Sequence, residues 1–352
     1  MTTPPLKIGL VGCGHIGRAV HLETLRRLPD VQVTSLADVD RNCLGAAHAR
    51  CPQARVFNDF RDLIEQADVN AVVICLPNAF HAEAAIAALE SGKHVYLEKP
   101  LAIELEEGER VRKVWKTSGC IGMIGFNYRC NPLHLDLRQK LLAGKIGDLL
   151  GARTAWTAMP YHAPEWKALR QTGGGVLLDL GSHHFDLIQF WFDQPIVEVF
   201  AAVRSHRRDD DTASVQARLA TGMIVQSFFS IGSVDDERFE VAGSNGRLWF
   251  DRFNSWSVEL SDLRKQSIPE RYLRRAVSSL PRTRFAINKL RSPWLEPSFA
   301  TALARFVRAA RTREQVRPDF DDGFNSLAVV LAAEESARLG SPVPVSPAAT
   351  AR

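Results

Sequence analysis

Short apolar runs alternate with longer stretches at helical spacing through the first 125 residues of the chain. The apolar runs lie at residues 7–11, 32–37, 71–76, 94–97 and 121–126. The stretches between them, such as 79–90, have the 3.6-residue period of helices. Strands that alternate with helices in this way are typical of a doubly wound parallel sheet. The pattern therefore predicts an α/β fold for the N-terminal part.

The pattern changes after Gly151, where one long helix is followed by alternating strands. Two of these strands, 212–219 and 223–230, are joined by the short turn Thr221-Gly222, and so short a connection requires antiparallel pairing. We therefore predict an α+β second half with a large, mostly antiparallel sheet that covers a cleft or a subunit interface. A chain of 352 residues exceeds one typical domain. The predicted division is a first domain at 1–126, a second at 127–346 and a flexible tail at 347–352.

A glycine-rich turn, Gly12-Cys13-Gly14-His15-Ile16-Gly17, follows the first predicted strand directly. Gly12 permits a tight turn, Gly14 lets the backbone approach a phosphate, and Gly17 allows strand and helix to pack closely. The helix that begins near His15 offers its N-terminus to an anion. The turn therefore predicts a dinucleotide site that includes His15 and Ile16.

An acidic residue, Asp38, stands at the end of the next predicted strand. A carboxylate there accepts hydrogen bonds from the adenosine ribose hydroxyls, which favours NAD as cofactor. Alternatively, Asp38 caps the helix that starts near Arg41, a role that Asp40 fills equally well. Arg41 leaves NADP open, because a guanidinium three residues on can receive the 2′-phosphate.

Composition and charge exclude several classes of protein. No apolar stretch is long enough for a membrane span, and the N-terminus does not have the pattern of a signal peptide, so we expect a soluble cytoplasmic protein. The six cysteines lie in the first 130 residues without a C-x-x-C pair, which indicates reduced thiols. No metal site is predicted.

Polar residues follow the ends of three predicted strands, at the edge where open α/β sheets bind ligands. We expect the residues of this set from Leu76 to Lys99 to line the cofactor site, together with Asn127. We expect Arg129 to contact substrate. Asn78 is equally well interpreted as a helix cap, and His81 as a satisfied first-turn histidine. The residues are Leu76, Pro77, Asn78, His81, Glu98, Lys99, Asn127 and Arg129.

The segment Gly173-Gly174-Gly175 precedes a helical stretch with two histidines. Asp179, His183 and Asp186 fall at i, i+4 and i+7, where a carboxylate can orient an imidazole and stabilise its protonated form. That arrangement suits a general base, although polar residues on a solvated helix face have the same spacing. The apolar stripe of this helix contains Leu177, Leu180, His184, Leu187, Ile188 and Trp191.

Taken together, the chain resembles the Gfo/Idh/MocA oxidoreductase family, which includes glucose-fructose oxidoreductase and inositol dehydrogenases. The resemblance covers nearly the whole chain and includes the glycine turn, Glu98-Lys99-Pro100, the string from Gly125 to Arg129 and the stretch from Gly174 to His183. It implies a Rossmann-like first domain and places Lys99, Asp179 and His183 around nicotinamide and substrate.

Roles for these three residues follow if the substrate is a secondary alcohol. His183 is the side chain whose ordinary pKa suits a general base, and Lys99 would stabilise the developing oxyanion, although a neutral lysine could exchange roles with the histidine. We expect an NAD-preferring dehydrogenase of a sugar or cyclitol hydroxyl, with sugar acids and nucleotide sugars as further substrates to test. The alternatives are redox-neutral elimination or epimerisation through held NAD, and a non-catalytic dinucleotide-binding sensor.

Two further segments carry weaker expectations. Tyr161, His162, Trp166 and Arg170 could close over the cleft as a lid that contacts substrate. Residues 264–291 hold nine Lys or Arg against the single acid Glu270, a pattern that fits an anionic substrate, an anionic membrane surface, or packing on the domain or a neighbouring subunit. No nucleic-acid motif accompanies the charge. We expect a homodimer or homotetramer.

Overall fold

The chain forms two compact units. The structure, a computed structural model, describes residues 4–160, 164–263, 283–292 and 295–346. The first unit holds the described residues up to Asn127 together with Ser298–Leu327, and the second holds those of Tyr128–Pro297 and from Ala328 onward. The division predicted from sequence put 298–327 in the second domain, whereas its contacts group it with the first unit. The predicted tail at 347–352 lies outside the described residues.

A six-stranded parallel sheet forms the centre of the first unit, as the sequence predicted. Its strands are β1 (Leu6–Val11), β2 (Val31–Ala37), β3 (Arg55–Phe57), β4 (Ala71–Ile74), β5 (His94–Leu97) and β6 (Gly122–Ile124). Their order is β3-β2-β1-β4-β5-β6, and every neighbouring pair is parallel. All residues of β4 and β5 are buried, which is expected of strands with both faces covered.

Helices follow the strands in the alternation that the sequence predicted. In the first unit they are a π-helical segment Gly17–Leu22 that continues as α1 (Glu23–Leu25), then α2 (Arg41–His48), α3 (Phe60–Gln66), α4 (His81–Glu90) and α5 (Leu105–Ser118). Later helices are α6 (Pro132–Leu142), α7 (Ser182–Phe192), α8 (Thr283–Arg291), α9 (Ser298–Thr312) and α10 (Phe320–Leu339). α9 packs on the first sheet through Phe306, whose ring lies edge-on to Tyr96 at 5.7 Å.

An eight-stranded, mostly antiparallel sheet forms the second unit, which confirms the predicted fold class. Its strands are β7 (Leu149–Ala158), β8 (Ile196–Arg204), β9 (Thr212–Leu219), β10 (Ile224–Ile231), β11 (Asp236–Gly243), β12 (Gly246–Asp251), β13 (Glu259–Asp262) and β14 (Val343–Pro344). The order is β13-β12-β11-β7-β10-β9-β8-β14, and β7 pairs parallel to β10. Burial alternates along β9 and β10, so one face of the sheet is covered and the other is open.

Two local predictions for the second unit have different outcomes. The hairpin at Thr221-Gly222 is confirmed, because β9 and β10 pair antiparallel across that turn. The long helix expected directly after Gly151 is wrong in position. β7 runs through Gly151 to Ala158, and the helical stretch begins only at Leu177.

Among the described residues, no helix is long and apolar enough to cross a membrane. The same part of the chain contains no group of three or more His, Cys, Asp or Glu that could hold a metal ion.

Candidate functional site

The glycine turn of the first unit has the geometry that a dinucleotide phosphate requires. Gly12 has φ +90°, and a Cβ there would lie 2.5 Å from the Cys75 carbonyl oxygen. A Cβ on Gly17 would lie 2.1 Å from the Gly12 carbonyl oxygen, so neither position accepts a side chain. Gly14, in contrast, has no atom within 4 Å of an added Cβ. The open side of the turn is therefore at Gly14, where a pyrophosphate can approach the backbone.

Asp38 holds the glycine turn through backbone hydrogen bonds to its carboxylate. Its Oδ2 accepts a hydrogen bond from Cys13 N at 2.6 Å and its Oδ1 one from Asp40 N at 2.8 Å. The cap of α2 is Asp40, whose carboxylate accepts from Asn42 N at 2.7 Å and Cys43 N at 3.3 Å, so the interpretation of Asp38 as the helix cap is wrong. A carboxylate has about four acceptor positions, so Asp38 keeps capacity for ribose hydroxyls. Arg41 is exposed at the start of α2.

Other residues predicted for the cofactor site differ in their exposure and their partners. His15 is exposed, and Ile16, Leu76 and Pro77 are half-buried. Asn78 is buried, and it is not the N-cap residue of the interpretation as a helix cap, because Pro77 and Phe80 occupy the N-cap positions of the two helices here. The buried Asn127 donates from Nδ2 to Ser298 Oγ at 2.8 Å.

Lys99 is half-buried and lies between two residues that are held by buried histidines. The Glu98 carboxylate is 2.6 Å from Nε2 of His21. The Pro100 carbonyl oxygen is 2.6 Å from His81 Nδ1, while Nε2 of the same ring is 2.9 Å from the Leu76 carbonyl oxygen. Burial lowers the pKa of His81. A neutral imidazole has one N–H and donates to one of these two carbonyl oxygens. His81 is therefore a buried histidine with a hydrogen-bond partner, as in the alternative interpretation, and Glu98 turns its carboxylate toward His21.

In the second unit, most residues of the helix that carries the candidate base are buried, from Ser182 to Ile188 and at Trp191. Its predicted apolar stripe is buried, and so are His183 and Asp186 on the other face, so the interpretation of a solvated helix face is wrong. Leu177–Gly181 is π-helical and leads into α7. A π-helical turn is wider than an α-helical one, so the i, i+4 rule does not apply directly between Asp179 and His183.

Both acids of this helix have basic partners. Asp179 accepts from Lys167 Nζ at 3.0 Å through each of its oxygens. Asp186 holds the buried Arg129 through two hydrogen bonds, of 2.9 Å from Nε and 2.6 Å from NH2. These contacts give Arg129 a structural role, and its contact with substrate stays a prediction. Lys167 was missed by sequence reasoning, since nothing in the loop before Gly173 indicates which polar side chain reaches the helix.

Two aromatic rings fix the surroundings of His183. Tyr128 stacks on its imidazole with centroids 4.8 Å apart and planes at 27°. Trp156 of β7 lies 5.6 Å away at a tilt of 54°. Neither was predicted as a site residue, although Tyr128 stands in the string from Gly125 to Arg129 that carries the family resemblance.

A buried ion network lies behind Tyr128. Arg252 donates to Glu237, which has no exposed surface. Arg252 also donates to Glu296 at 3.4 Å. Lys289 belongs to the basic segment predicted to meet anions, yet it is 2% exposed and donates to the carbonyl oxygens of Arg252 at 2.6 Å and Ser255 at 3.1 Å. Burial lowers the pKa of Lys289 to about 8. At least this cation supports its own domain, while 264–282 lie outside the described residues.

The predicted lid is described only in part. Tyr161 and His162 lie outside the described residues. Trp166 is half-buried, and its ring is 5.5 Å from Lys167 Nζ. Arg170 pairs with Glu334 at 2.7 and 2.9 Å.

A parallel sheet with an open glycine turn and an acid at the end of β2 defines the class of NAD-binding oxidoreductases. The model described as "Oxidoreductase family, NAD-binding Rossmann fold" matches residues 6–126, and the "GFO/IDH/MocA C-terminal domain" matches 134–249. The chain belongs to the Gfo/Idh/MocA family, as the sequence resemblance indicated. It is an oxidoreductase of a family that acts on sugar or cyclitol hydroxyls, and its first unit is an NAD-binding Rossmann fold.

Named relatives cover almost all of the chain. Inositol 2-dehydrogenase of Acidothermus cellulolyticus is 31% identical over 98% of this chain and 96% of its own length. Myo-inositol 2-dehydrogenase of Thermotoga maritima is 28% identical over 94% and 96%. The WlbA dehydrogenase from Bordetella pertussis, crystallised with NADH and UDP-GlcNAcA, shares the fold with a TM-score of 0.83 at 21% identity over 98% and 99%.

Proposed function

We propose that this chain is an NAD-dependent dehydrogenase that oxidises a secondary hydroxyl of a cyclitol or sugar. The observation that carries this proposal is Lys99, which stands at the end of β5 in a chain of this family and is flanked by two anchored residues, Glu98 and Pro100. Relatives named inositol dehydrogenase support a cyclitol as the first substrate to test.

Each proposed catalytic residue has one task. Bound NAD supplies the hydride acceptor. Lys99 Nζ donates a hydrogen bond to the reacting hydroxyl oxygen and stabilises the negative charge that develops there. The imidazole of His183 accepts the hydroxyl proton, with its ring held by Tyr128 and Trp156. The carboxylate of Asp179, held by Lys167, stabilises the imidazolium or orients the substrate.

NAD is the preferred cofactor in this proposal. The support is Asp38, whose carboxylate is fixed at the end of β2 by two backbone N–H groups. A carboxylate held there would repel the 2′-phosphate of NADP. Arg41 is the residue that would reverse the preference if it turned toward that phosphate.

The test offers a panel of substrates to the protein and follows the formation of NADH or NADPH by absorbance. Myo-inositol, scyllo-inositol, glucose, glucuronate and UDP-glucose are each offered with NAD and with NADP, and the Lys99→Met variant is the control. We expect substrate-dependent NADH formation that falls at least about 100-fold in the variant. Turnover without added NAD and without NADH would favour redox-neutral elimination or epimerisation. NAD binding without turnover of any substrate would favour the sensor.

A homo-oligomer is the second part of the proposal. The open face of the eight-stranded sheet carries a cavity of about 580 Å³ lined by Phe200, Phe228 and polar residues of the central strands. Both phenylalanines are 44% exposed, and exposed aromatic residues in a concave face are typical of an interface. The molar mass measured by light scattering should be that of a dimer or tetramer. The double variant Phe200→Glu, Phe228→Glu should have a lower molar mass. A monomeric parent would contradict this proposal.

A further inference from the structure

The lysine loop, residues 164–175, leads into the helical stretch that carries Asp179. It contains two short 3₁₀ turns, Glu165–Lys167 and Arg170–Thr172. Lys167 ends the first turn, and its Nζ donates to both carboxylate oxygens of Asp179 at 3.0 Å. The two side chains are 25% and 14% exposed. A partly exposed ion pair contributes little to stability by itself, so the contact has more consequence for the orientation of Asp179 than for folding.

Gly174 closes the lysine loop from within. Its N–H donates to the Leu169 carbonyl oxygen at 2.9 Å. A Cβ added to Gly174 would lie 2.4 Å from the Lys167 carbonyl oxygen and 2.8 Å from that of Leu169. Thr172 Oγ1 donates to the Trp166 carbonyl oxygen at 2.6 Å. The backbone around Lys167 therefore packs directly on a residue that must lack a side chain.

Two other elements of the second unit hold the lysine loop from outside. Arg170 donates to the Glu334 carboxylate of α10 through Nε at 2.7 Å and NH2 at 2.9 Å, the two-point geometry in which a guanidinium binds a carboxylate most specifically. The connection between β8 and β9 adds a hydrogen bond of 3.2 Å from Asp209 N to the Ala168 carbonyl oxygen. The chain that follows Lys167 is therefore attached at two places.

This attachment restricts the ammonium of Lys167. An exposed lysine samples many rotamers, and its ion pairs are weak because that freedom is lost when they form. Here the backbone of Lys167 is fixed, and the Trp166 ring lies 5.5 Å from Nζ. A donor that contacts both oxygens prevents the Asp179 carboxylate from rotating. The loop thereby sets the direction of the lone pairs that remain on those oxygens.

We propose that Lys167 and Arg170 are positioning residues for Asp179: Lys167 fixes the plane of its carboxylate, and Arg170 fastens the lysine loop to α10. The consequence for turnover rests on the proposed function, in which Asp179 stabilises the imidazolium or orients the substrate. The contacts do not rest on it, because all of these residues belong to the second unit. Arg170 thus acts on the loop, a task different from the substrate contact that the sequence suggested.

The first experiment detects the contact without substrate or cofactor. A water-soluble carbodiimide activates a carboxylate, and an amine in contact attacks the activated carbonyl carbon. An amide forms, and the carbodiimide takes up the lost water as a urea. Lys167 and Asp179 should therefore be joined in the parent, as read by mass spectrometry of the peptides. In Glu334→Gln, which removes the charge that holds Arg170, the yield of this amide should fall about threefold.

The pair Lys140–Asp136 of α6 is a matched control in the same unit. Lys140 Nζ lies 2.6 Å from Asp136 Oδ2, and the side chains are 24% and 19% exposed, close to the values for Lys167 and Asp179. Neither residue contacts the lysine loop through a hydrogen bond given by the described residues. Its amide should therefore form to the same extent in the parent and in Glu334→Gln.

The second experiment is a double-mutant cycle on NADH formation from the panel substrate with the highest rate. Lys167→Met should lower kcat/KM by about tenfold when Asp179 is present and by less than about threefold in the Asp179→Asn background. Lys167→Arg can donate to both carboxylate oxygens and should recover most of the rate. Circular dichroism checks folding, and the same cycle with Glu334→Gln decides the outcome if Lys167→Met does not fold.

The outcomes separate the two claims. If Lys140 and Asp136 are joined in the parent but Lys167 and Asp179 are not, or if Lys167→Met costs the same in both backgrounds, the positioning role is overturned and the proposed function is intact. An amide yield that Glu334→Gln leaves unchanged overturns the task assigned to Arg170. A joined Lys167–Asp179 pair without turnover of any panel substrate supports the contact and overturns the proposed function.

Discussion

His94 makes the stability of this protein depend on pH in a way that one substitution can isolate. It begins β5, is 4% exposed, and accepts a hydrogen bond from Ile121 N at 2.9 Å through Nδ1. Burial, with a smaller contribution from Arg313, lowers the pKa of His94 from 6.5 to about 4. The folded protein therefore keeps this ring neutral over a range where the unfolded chain protonates it.

The sign and size of the effect follow from linkage. A pKa that is lower in the folded state gives stability that is fully present above pH 6.5 and is lost as the pH falls toward 4. The full difference is worth about 3 kcal/mol, and about 2 kcal/mol of it is lost between pH 7 and pH 5. Other buried histidines add their own losses, so only a comparison with a variant isolates His94.

His94→Asn is that variant, because the asparagine oxygen can accept from Ile121 N but does not titrate in this range. Urea unfolding is followed by circular dichroism at pH 7 and pH 5 for both proteins. The variant should be less stable at pH 7 because it loses packing, but it should lose about 2 kcal/mol less than the parent on going to pH 5. The same acid-induced loss in both proteins would show that protonation of His94 does not cause this part of the pH dependence.

Three further predictions concern the cofactor turn and the start of α10. The parent should have a kcat/KM at least about tenfold higher with NAD than with NADP, and Asp38→Ser should reduce this ratio. A parent that prefers NADP would contradict the role of Asp38. Gly14→Ala should keep the fold but weaken NAD binding at least about tenfold by fluorescence, whereas Gly45→Ala, which also has open space around it, should not; equal affinities would place the phosphate elsewhere. Asp319 caps α10, and burial with Asp322 raises its pKa to about 6. Its stabilising contribution is greatest below pH 3.8 and is lost as the pH rises through 6, so Asp319→Asn should gain stability over the parent between pH 4 and pH 7 in urea unfolding; a constant difference would contradict this.

Local patterns in the sequence predicted the parts of the fold that depend on neighbouring residues. The glycine turn, the buried strands β4 and β5 and the β9–β10 hairpin each follow from residues within one short segment. β7 was missed because its burial does not alternate cleanly and its parallel partner, β10, lies far along the chain. Its pairing is a property of tertiary structure, which single-segment periodicity does not contain.

The candidate site shows the same limit. The position of Lys99 after a strand could be predicted, but the hydrogen bond between the neighbouring Glu98 and His21 joins two residues 77 positions apart. The spacing of Asp179 and His183 predicted an α-helix, and the π-helical segment changes that register. Asp38 and Asp40 could not be distinguished by position in the sequence, since only the folded structure shows which carboxylate caps α2.

The most direct test of the proposed catalytic roles is single-turnover hydride transfer in three proteins: the parent, Lys99→Met and His183→Ala. NADH formation from the substrate found in the panel is followed by stopped flow, and NAD affinity is measured separately by fluorescence. We expect unchanged NAD affinity and a loss of about 10² to 10⁴ in the hydride-transfer rate for either variant. The double variant should lose far less than the product of the two single losses. Near-parental hydride transfer in His183→Ala would contradict its role as the base, and near-parental transfer in Lys99→Met would contradict the proposed catalytic role of the lysine.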